Sequence, residues 1–228
     1  MREITAIIPA AGIGKRFSST GKKQFFEIDG KTILEYTLRS LSAYPFDAFV
    51  IGAAPDDFER ISEIASTAGI EGKLTLTAGG KERSDTVLAC LKKVETPFVA
   101  VHDAVRPFIS EALLRTVVNA AFAWGGAICA LRAHDTVKRV KNGSVLTTIP
   151  RDEVYLAHTP QVFETEVLTA AIESAVQDGI ILTDEASAYE CAKRRVVVVD
   201  STPDNIKVTE AADLTLAKAL IEKYSFLR

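Results

Sequence analysis

The residues best suited to chemistry lie in a glycine-rich, basic loop directly after the first apolar run. The segment Pro9-Ala10-Ala11-Gly12-Ile13-Gly14-Lys15-Arg16 is followed by Lys22-Lys23-Gln24. Small residues let backbone N–H groups approach phosphate oxygens closely, and the Arg and Lys side chains add positive charge. We therefore predict a phosphate-binding loop; the alternative is an ordinary glycine turn that carries solvated charges.

Two well-known phosphate loops do not fit this segment. A dinucleotide fingerprint would have Gly or Ala where Phe17 stands, which disfavours a dinucleotide-dependent oxidoreductase. A P-loop would need Gly-Lys-Ser/Thr five residues after Gly12, where Phe17-Ser18-Ser19 stands. We therefore exclude both of these loops.

A second candidate element is Val101-His102-Asp103-Ala104-Val105-Arg106-Pro107, which follows another apolar run. The Asp103 carboxylate is suited to hold a hard cation such as Mg²⁺ beside a triphosphate, and Arg106 is suited to an anionic substrate group. The alternative is a helix-capping Asp and a surface Arg. Behind a phosphate loop, we favour the functional interpretation.

Strands and helices must alternate to position these loops. Apolar, β-branched runs predict strands at 4–8, 48–52, 74–77, 98–102, 127–131 and 196–200. Between them, Thr32, Ser110 and Thr209 each precede apolar residues at helical spacing. This alternation predicts an α/β fold with a doubly wound, mostly parallel sheet, in which ligands bind at the carboxyl ends of strands.

One stretch departs from that alternation. Val137-Lys138-Arg139-Val140 and Ser144-Val145-Leu146-Thr147 flank Asn142-Gly143, which predicts a tight β-hairpin turn. Such a ribbon has little apolar surface with which to pack on its own domain. It is either a solvated flap or, as we favour, a protruding arm, at about 135–155, that docks on another subunit.

Composition limits the class of protein. With 228 residues, of which 47% are hydrophobic, we expect one domain spanning 1–228. A net charge of −3 gives no general reason to expect a nucleic acid or a membrane as partner. Cys90, Cys129 and Cys191 lie far apart in apolar contexts, which predicts buried, reduced thiols and a cytoplasmic location. The run 4–8 is too short for a signal-peptide core, and no later run approaches the ~18 apolar residues of a membrane span.

Several further segments carry polar residues whose patterns, taken singly, fit turn or cap chemistry. They are Gly79-Gly80-Lys81-Glu82-Arg83, Asp135-Thr136, Arg151, Thr159-Pro160-Gln161, Thr183-Asp184-Glu185 and Asp204-Asn205-Ile206-Lys207. Taken together and in this order with the two elements above, they resemble the motifs of 2-C-methyl-D-erythritol 4-phosphate cytidylyltransferases. The resemblance extends from about Ile4 to Leu220 and rests on eight ordered motifs.

The resemblance implies a site for CTP and a site for a sugar-alcohol phosphate, with Mg²⁺ or another divalent cation held mainly by the triphosphate and by Asp103. The implied nucleotide-binding residues are Pro9, Ala10, Ala11, Gly12, Gly14, Arg16, Lys23, Gly80, Thr86, Asp103 and Ala104. The implied substrate-binding residues are Arg106, Asp135, Thr136, Arg151, Thr159, Thr183 and Lys207. Arg16, Lys23, Arg151 and Lys207 are implied to be catalytic, and His102, His134 and His158 are interpreted as supporting residues.

The resemblance also implies a homodimer whose hairpin arms hook around each other, so that Thr136 and Arg151 complete the neighbour's pocket. Two alternatives remain at this stage. A ribitol 5-phosphate cytidylyltransferase has a similar loop, although it tends to Leu-Ala-Gly-Gly where this chain has Pro-Ala-Ala-Gly. A non-catalytic nucleotide-binding module whose arm recruits a partner would not need the second basic cluster around Lys207.

Overall fold

A seven-stranded sheet forms the centre of the described part of the chain. The computed structural model describes residues 2–12 and 22–224. Its strands are β1 Ile4–Pro9, β2 Glu27–Ile28, β3 Lys31–Thr32, β4 Ala48–Ala53, β5 Leu74–Ala78, β6 Phe98–Val101, β7 Gly126–Arg132, β8 Val137–Lys141, β9 Ser144–Ile149, β10 Tyr155–Glu164 and β11 Val197–Asp200. Its α-helices are α1 Ile33–Ser42, α2 Phe58–Thr67, α3 Arg83–Leu91, α4 Glu111–Trp124, α5 Thr165–Gln177, α6 Glu185–Cys191 and α7 Asp213–Lys223.

The main sheet has the strand order β11-β7-β10-β6-β1-β4-β5, and β10 is antiparallel to both of its neighbours. Helices cover both faces of the sheet. Since successive residues of β1 point to opposite sides, they pack against different helices. Ile4, Ala6 and Ile8 pack in a cluster with residues of α1, α2 and α4, whereas Ile7 packs with residues of α3, α5 and α6. The predicted doubly wound, mostly parallel α/β fold is confirmed.

This topology brings three loops to one edge of the sheet. β1 pairs in parallel with β4 and β6, and β4 pairs in parallel with β5. The loops that follow β1, β5 and β6 therefore leave the sheet at the same edge. In open α/β sheets this edge is where ligands bind.

The helix starts are mostly as predicted. The hydroxyls of Thr32 and Ser110 cap α1 and α4, each accepting a bond from the backbone N–H three residues on. The prediction at Thr209 was less accurate, because α7 begins only at Asp213. There the Asp213 carboxylate accepts bonds from the N–H of Thr209 at 2.7 Å and of Glu210 at 2.9 Å, so the intervening residues form a turn.

The predicted hairpin is present. β8 and β9 pair in an antiparallel ribbon, and Asn142 and Gly143 have φ of 51° and 77°, as a tight two-residue turn requires. Val145 and Leu146 on this ribbon are 61% and 55% exposed. The ribbon therefore presents apolar side chains that its own chain does not cover.

The main element that the sequence did not predict is β10. Thr159-Pro160-Gln161, which alone suggests a turn, lies inside this strand between β6 and β7. Proline has no N–H to donate to a ladder and is rare in central strands. The pairing of β10 with β7 shifts register between Ala157 and Gln161, which accommodates the proline.

Cys90 and Cys129 are buried, as predicted, and burial raises the pKa of each thiol to about 12. The prediction for Cys191 was wrong, because this residue is the last of α6 and is exposed. None of the helices in the described ranges is both long enough and apolar enough to cross a membrane.

Candidate active site

The loop after β1 is fixed by hydrogen bonds to its backbone. The Ala10 N–H donates to the carbonyl of Gly52 at 2.7 Å. The buried side-chain amide of Gln24 donates to the carbonyl of Ala10 at 2.7 Å and to that of Gly12 at 3.4 Å. Gln24 thus fixes the start of the loop through two carbonyl oxygens, which gives the glutamine of the Lys-Gln pair a structural role.

The two lysines beside Gln24 have different surroundings. Lys22 pairs with Asp57 at 2.5 Å and does not line the cavity beside the loop. Lys23 begins a short 3₁₀ helix and lines the cavity beside the loop. The geometry therefore supports Lys23 rather than Lys22 as a ligand of phosphate. Gly14 and Arg16 lie outside the described residues.

The opposite wall of the cavity comes from the loop between β5 and α3. An added Cβ at Gly79 would overlap the Cβ of Ala11, and one at Gly80 would overlap that of Asp85. The Thr86 hydroxyl accepts a bond from the Gly80 N–H at 3.0 Å and donates to the carbonyl of Glu82 at 3.2 Å. Glycine is therefore required at position 79 for the close approach of the loop after β1 and at position 80 for the close approach of α3, and at neither for a positive φ.

These two loops and the one after β6 enclose one pocket, which we call the nucleotide pocket because residues predicted to bind the nucleotide line it. It is lined by Pro9, Ala10, Ala11, Gly12, Lys23, Gln24, Gly80, Lys81, Glu82, Arg83, Thr86, Asp103, Ala104, Val105 and Lys207. Every described residue that the sequence analysis assigned to nucleotide binding is in this lining. The separate motifs after β1, β5 and β6 thus form one cavity.

Asp103 is the centre of an ion cluster at the end of this pocket. Its carboxylate lies 2.9 Å from the Lys207 Nζ, 3.3 Å from the Arg83 Nε and 3.4 Å from the Arg106 Nε. Burial alone would raise the pKa of this carboxyl, but the three cations outweigh burial and hold the pKa well below its ordinary value. The carboxylate therefore remains ionised across the physiological pH range.

A second pocket adjoins the first across this cluster. It is lined by Arg83, Asp103, Arg106, Ala157, His158, Thr159, Gln161, Thr183, Asp184 and Lys207. Arg83, Asp103 and Lys207 line both pockets and form the shared wall. Since the shared wall holds two cations beside one carboxylate, and Arg106 adds a third on the side of the second pocket, the wall suits anions.

A buried hydrogen-bond chain fixes the loop after β6. The Asp103 N–H donates to the Thr159 hydroxyl at 3.1 Å, and this hydroxyl lies 3.1 Å from the Nδ1 of His102. The His102 Nε2 lies 2.9 Å from the Arg106 carbonyl, which can only accept, so Nε2 carries the proton and Nδ1 accepts from Thr159. Burial lowers the pKa of His102 to about 4, so the ring is neutral at physiological pH. It supports the loop and is not placed to act as a base.

The segment 204–208 brings Lys207 to the shared wall. Val208 donates its N–H to the carbonyl of Val105 at 2.9 Å, and the Asn205 carbonyl accepts from the Arg106 Nη1 at 2.7 Å. The Asn205 amide also donates to the carbonyl of Thr159 at 2.9 Å. These bonds fix the segment against the loop after β6 and place Lys207 beside Asp103.

Comparison with known proteins agrees with this arrangement. The family model for 2-C-methyl-D-erythritol 4-phosphate cytidylyltransferase matches residues 4–223. The chain belongs to this family. The proteins of that name from Geotalea uraniireducens and Acidobacterium capsulatum are 40% and 37% identical to it, with 96% and 97% of this chain and 97% and 98% of theirs covered.

Solved structures show the same fold. The 4-diphosphocytidyl-2C-methyl-D-erythritol synthase of Anaerococcus prevotii has a TM-score of 0.86 at 30% identity, with 97% of this chain and 96% of that chain covered. The 2-C-methyl-D-erythritol 4-phosphate cytidylyltransferase of Thermus thermophilus has a TM-score of 0.79 at 29% identity, with coverages of 96% and 99%. The family likeness thus covers both pockets and the elements that position them.

The predicted sugar-phosphate residues of this family member fall into two groups. Arg106, Thr159, Thr183 and Lys207 line the second pocket. Asp135, Thr136 and Arg151 do not line either pocket in the described chain; they are exposed near the base of the arm, where the Arg151 Nη1 donates to the carbonyl of His134 at 2.8 Å. A single chain therefore brings together only part of the predicted substrate site.

The donor set also limits how a metal ion could be held. Among residues 2–12 and 22–224, no three His, Cys, Asp or Glu side chains are grouped to hold one. Asp103 accepts from three cations, but a carboxylate has about four acceptor positions, so one remains for Mg²⁺. Mg²⁺ is commonly bound by one or two carboxylates together with substrate phosphates. The residues fit an ion that takes most of its ligands from a triphosphate.

The sequence analysis assigned no binding or catalytic role to Arg83, Glu185 or His158. Arg83 and Glu185 lay in candidate motifs, but their bond joins residues 102 positions apart, and nothing local indicates such a pair. His158 lines the second pocket, and its Nδ1 lies 3.0 Å from the Ser201 hydroxyl. The sequence analysis interpreted His158 as a supporting residue, and its place in this pocket depends on β10, a strand that the sequence did not predict.

Proposed function

We propose that the protein transfers the cytidylyl group of CTP to 2-C-methyl-D-erythritol 4-phosphate. The products are 4-diphosphocytidyl-2-C-methyl-D-erythritol and pyrophosphate, in the non-mevalonate route to isoprenoid precursors. Family membership supports the reaction. The single observation that carries the proposal is the shared wall, because two adjoining pockets with a common cationic boundary suit two polyanions that must react with each other.

The chemistry needs no side chain as a base. A phosphate oxygen of the sugar phosphate, already ionised at neutral pH, attacks the α-phosphorus of CTP. A new P–O bond forms, the bond from this phosphorus to the oxygen that bridges to the β-phosphate breaks, and pyrophosphate leaves with the electron pair. Catalysis is then a matter of alignment and of stabilising negative charge. The neutral state of His102 fits this mechanism.

The cations divide between the two substrates. Lys23 in the nucleotide pocket, together with Arg16, stabilises the triphosphate as charge accumulates on the departing pyrophosphate. Arg106 and Lys207 hold the phosphate of the sugar substrate beside the shared wall. Asp103 would hold a triphosphate-bound Mg²⁺, which would supply further neutralisation of the same charge.

The protein acts as a homodimer in this proposal. The arm carries exposed apolar residues, including Val140, Val145 and Leu146, which are 54–61% exposed. Asp135, Thr136 and Arg151 at its base complete the sugar-phosphate pocket of the partner, which accounts for their distance from the pocket of their own chain. The buried thiols of Cys90 and Cys129 fit the reducing cytoplasm, where we propose that the protein works.

A substrate competition assay tests the proposal. The purified protein is incubated with CTP, Mg²⁺ and equal amounts of 2-C-methyl-D-erythritol 4-phosphate and ribitol 5-phosphate, and the cytidylyl products are separated by chromatography. The proposal predicts that the methylerythritol product dominates and forms in step with pyrophosphate. Dominance of the ribitol product would contradict the substrate assignment. Nucleotide binding without any transfer would favour a non-catalytic module.

A further inference from the structure

Arg83 makes three charged contacts that join distant parts of the site. Its Nη1 and Nη2 donate to the two carboxylate oxygens of Glu185 at 2.6 and 3.1 Å. Its Nε donates to Asp103 at 3.3 Å. Arg83 is the first residue of α3, and its guanidinium thus links this helix to Glu185, the first residue of α6, and to the loop after β6.

Glu185 is unable to act on a substrate itself. Its side chain is only 2% exposed, and both of its carboxylate oxygens accept from Arg83. A bidentate pair of this kind fixes the plane of the guanidinium as well as its position. Any influence of Glu185 on the reaction must therefore pass through Arg83.

Arg83 transmits the effect of Glu185 to Asp103 at the shared wall. Its side chain is 31% exposed and lines both pockets at the shared wall. With its two terminal nitrogens committed to Glu185, the remaining Nε is directed at the carboxylate of Asp103. Asp103 also bonds Lys207 and Arg106, so the orientation of this one carboxylate governs where both substrate-facing cations lie.

We propose that Arg83 and Glu185 form a positioning pair for nucleotidyl transfer. Buried Glu185 fixes the Arg83 guanidinium, which orients Asp103 and thereby aligns the nucleotide pocket with the sugar-phosphate pocket. The pair sets the geometry between two bound substrates and contributes little to holding either one. This inference rests on the proposed function, since alignment matters only if two substrates react across the shared wall.

The raised pKa of Arg83 agrees with this arrangement. Burial alone would lower this pKa, but Glu185 and then Asp103 raise it above its ordinary value. The guanidinium is therefore permanently charged. Lysine would keep the charge but has a single nitrogen on a flexible stem, so it is unable to bond both oxygens of Glu185 and Asp103 in one plane.

Steady-state kinetics on R83K and E185Q tests the pair. Since misplacing reacting groups by about 1 Å can cost on the order of 10²-fold in rate, we expect kcat to fall roughly 10- to 100-fold in each variant. The KM values for CTP and for the sugar phosphate should change by less than about threefold, because ground-state binding is largely retained. R39K is the matched control, since Arg39 pairs with Glu35 at similar exposure but lines neither pocket, and its kcat should equal that of the wild type.

The double variant R83M/E185M separates positioning from a merely structural role. Replacing a buried ion pair by apolar residues of similar size is often neutral for stability, so its melting temperature should approach that of the wild type. The proposal predicts that kcat stays low in this stable variant. Recovery of kcat together with stability would overturn it, as would a normal kcat in E185Q. If the wild-type protein releases no pyrophosphate, the proposed function fails together with the positioning role. If the wild type is active and E185Q has the same kcat, only the positioning role of Arg83 and Glu185 fails.

Discussion

Replacing Asp103 by asparagine removes the one negative charge that Arg83, Arg106 and Lys207 share. Asn is close to Asp in size, so the change tests charge rather than packing. The side chain of Asp103 is 9% exposed and that of Arg106 is 8% exposed, which leaves water little access to compensate for the lost charge. The variant therefore leaves Arg106 as a buried cation without a carboxylate partner, whereas Arg83 keeps Glu185 and Lys207 is 37% exposed.

The expected effect is large. Breaking a buried ion pair by removing one partner costs about 3–5 kcal/mol. For a chain of this size each ~1 kcal/mol shifts the melting temperature by about 2–4 °C, so D103N should melt roughly 6–20 °C below the wild type. Inorganic phosphate should raise the melting temperature of D103N more than that of the wild type, because an added anion replaces part of the lost charge.

Differential scanning calorimetry with and without phosphate measures both effects. The matched control is E111Q, since Glu111 forms a half-exposed pair with Arg115, and such pairs contribute roughly 0–1 kcal/mol. A drop in melting temperature no larger in D103N than in E111Q would refute the ion-cluster reasoning. So would an equal response of D103N and the wild type to phosphate.

Three further predictions follow from the site. Lys23→Ala and Arg16→Ala should each lower kcat by about 10²–10³ with the fold intact, the size of one preorganised electrostatic contact; near-normal pyrophosphate release at saturating CTP would exclude that role. Arg151→Ala and Lys207→Ala should raise the KM for the sugar phosphate while calorimetry shows CTP affinity retained, and a loss confined to CTP affinity would contradict this division. Burial lowers the pKa of His158 to about 4 from its ordinary 6.5, so the contribution of the neutral ring to stability is full above about pH 6.5 and is lost as the pH falls toward 4. Between these pH values the melting temperature of His158→Gln should fall less than that of the wild type. Identical profiles of melting temperature against pH would contradict a buried, neutral His158.

The sequence predicted the parts of the fold whose patterns are local. Apolar runs marked β1, β4, β5, β6, β7 and β11, and Asn142-Gly143 marked the hairpin because its turn requires positive φ at both residues. β10 was missed because Pro160 and its polar neighbours look like a turn, whereas a register shift in the sheet accommodates them. That shift depends on the partner strand, which no local pattern reveals.

The candidate site shows the same division. Small residues beside Lys23 predicted the nucleotide loop because close approach and charge are local requirements. The clustering of Arg83, Asp103 and Glu185 depends on the starts of α3 and α6 and on the loop after β6, which meet only in the folded chain. Sequence order alone therefore did not indicate that the two pockets share a wall.

The most direct test of the central claim is a crystal structure with Mg²⁺, 2-C-methyl-D-erythritol 4-phosphate and a CTP analogue that has a methylene group between the α- and β-phosphorus atoms. This analogue blocks the bond that must break. The account predicts the nucleotide against the loops after β1 and β5, with the sugar phosphate across the shared wall and one of its oxygens in line with the α-phosphorus. A nucleotide bound elsewhere, or two ligands whose phosphates lie on separate faces of the chain, would contradict it.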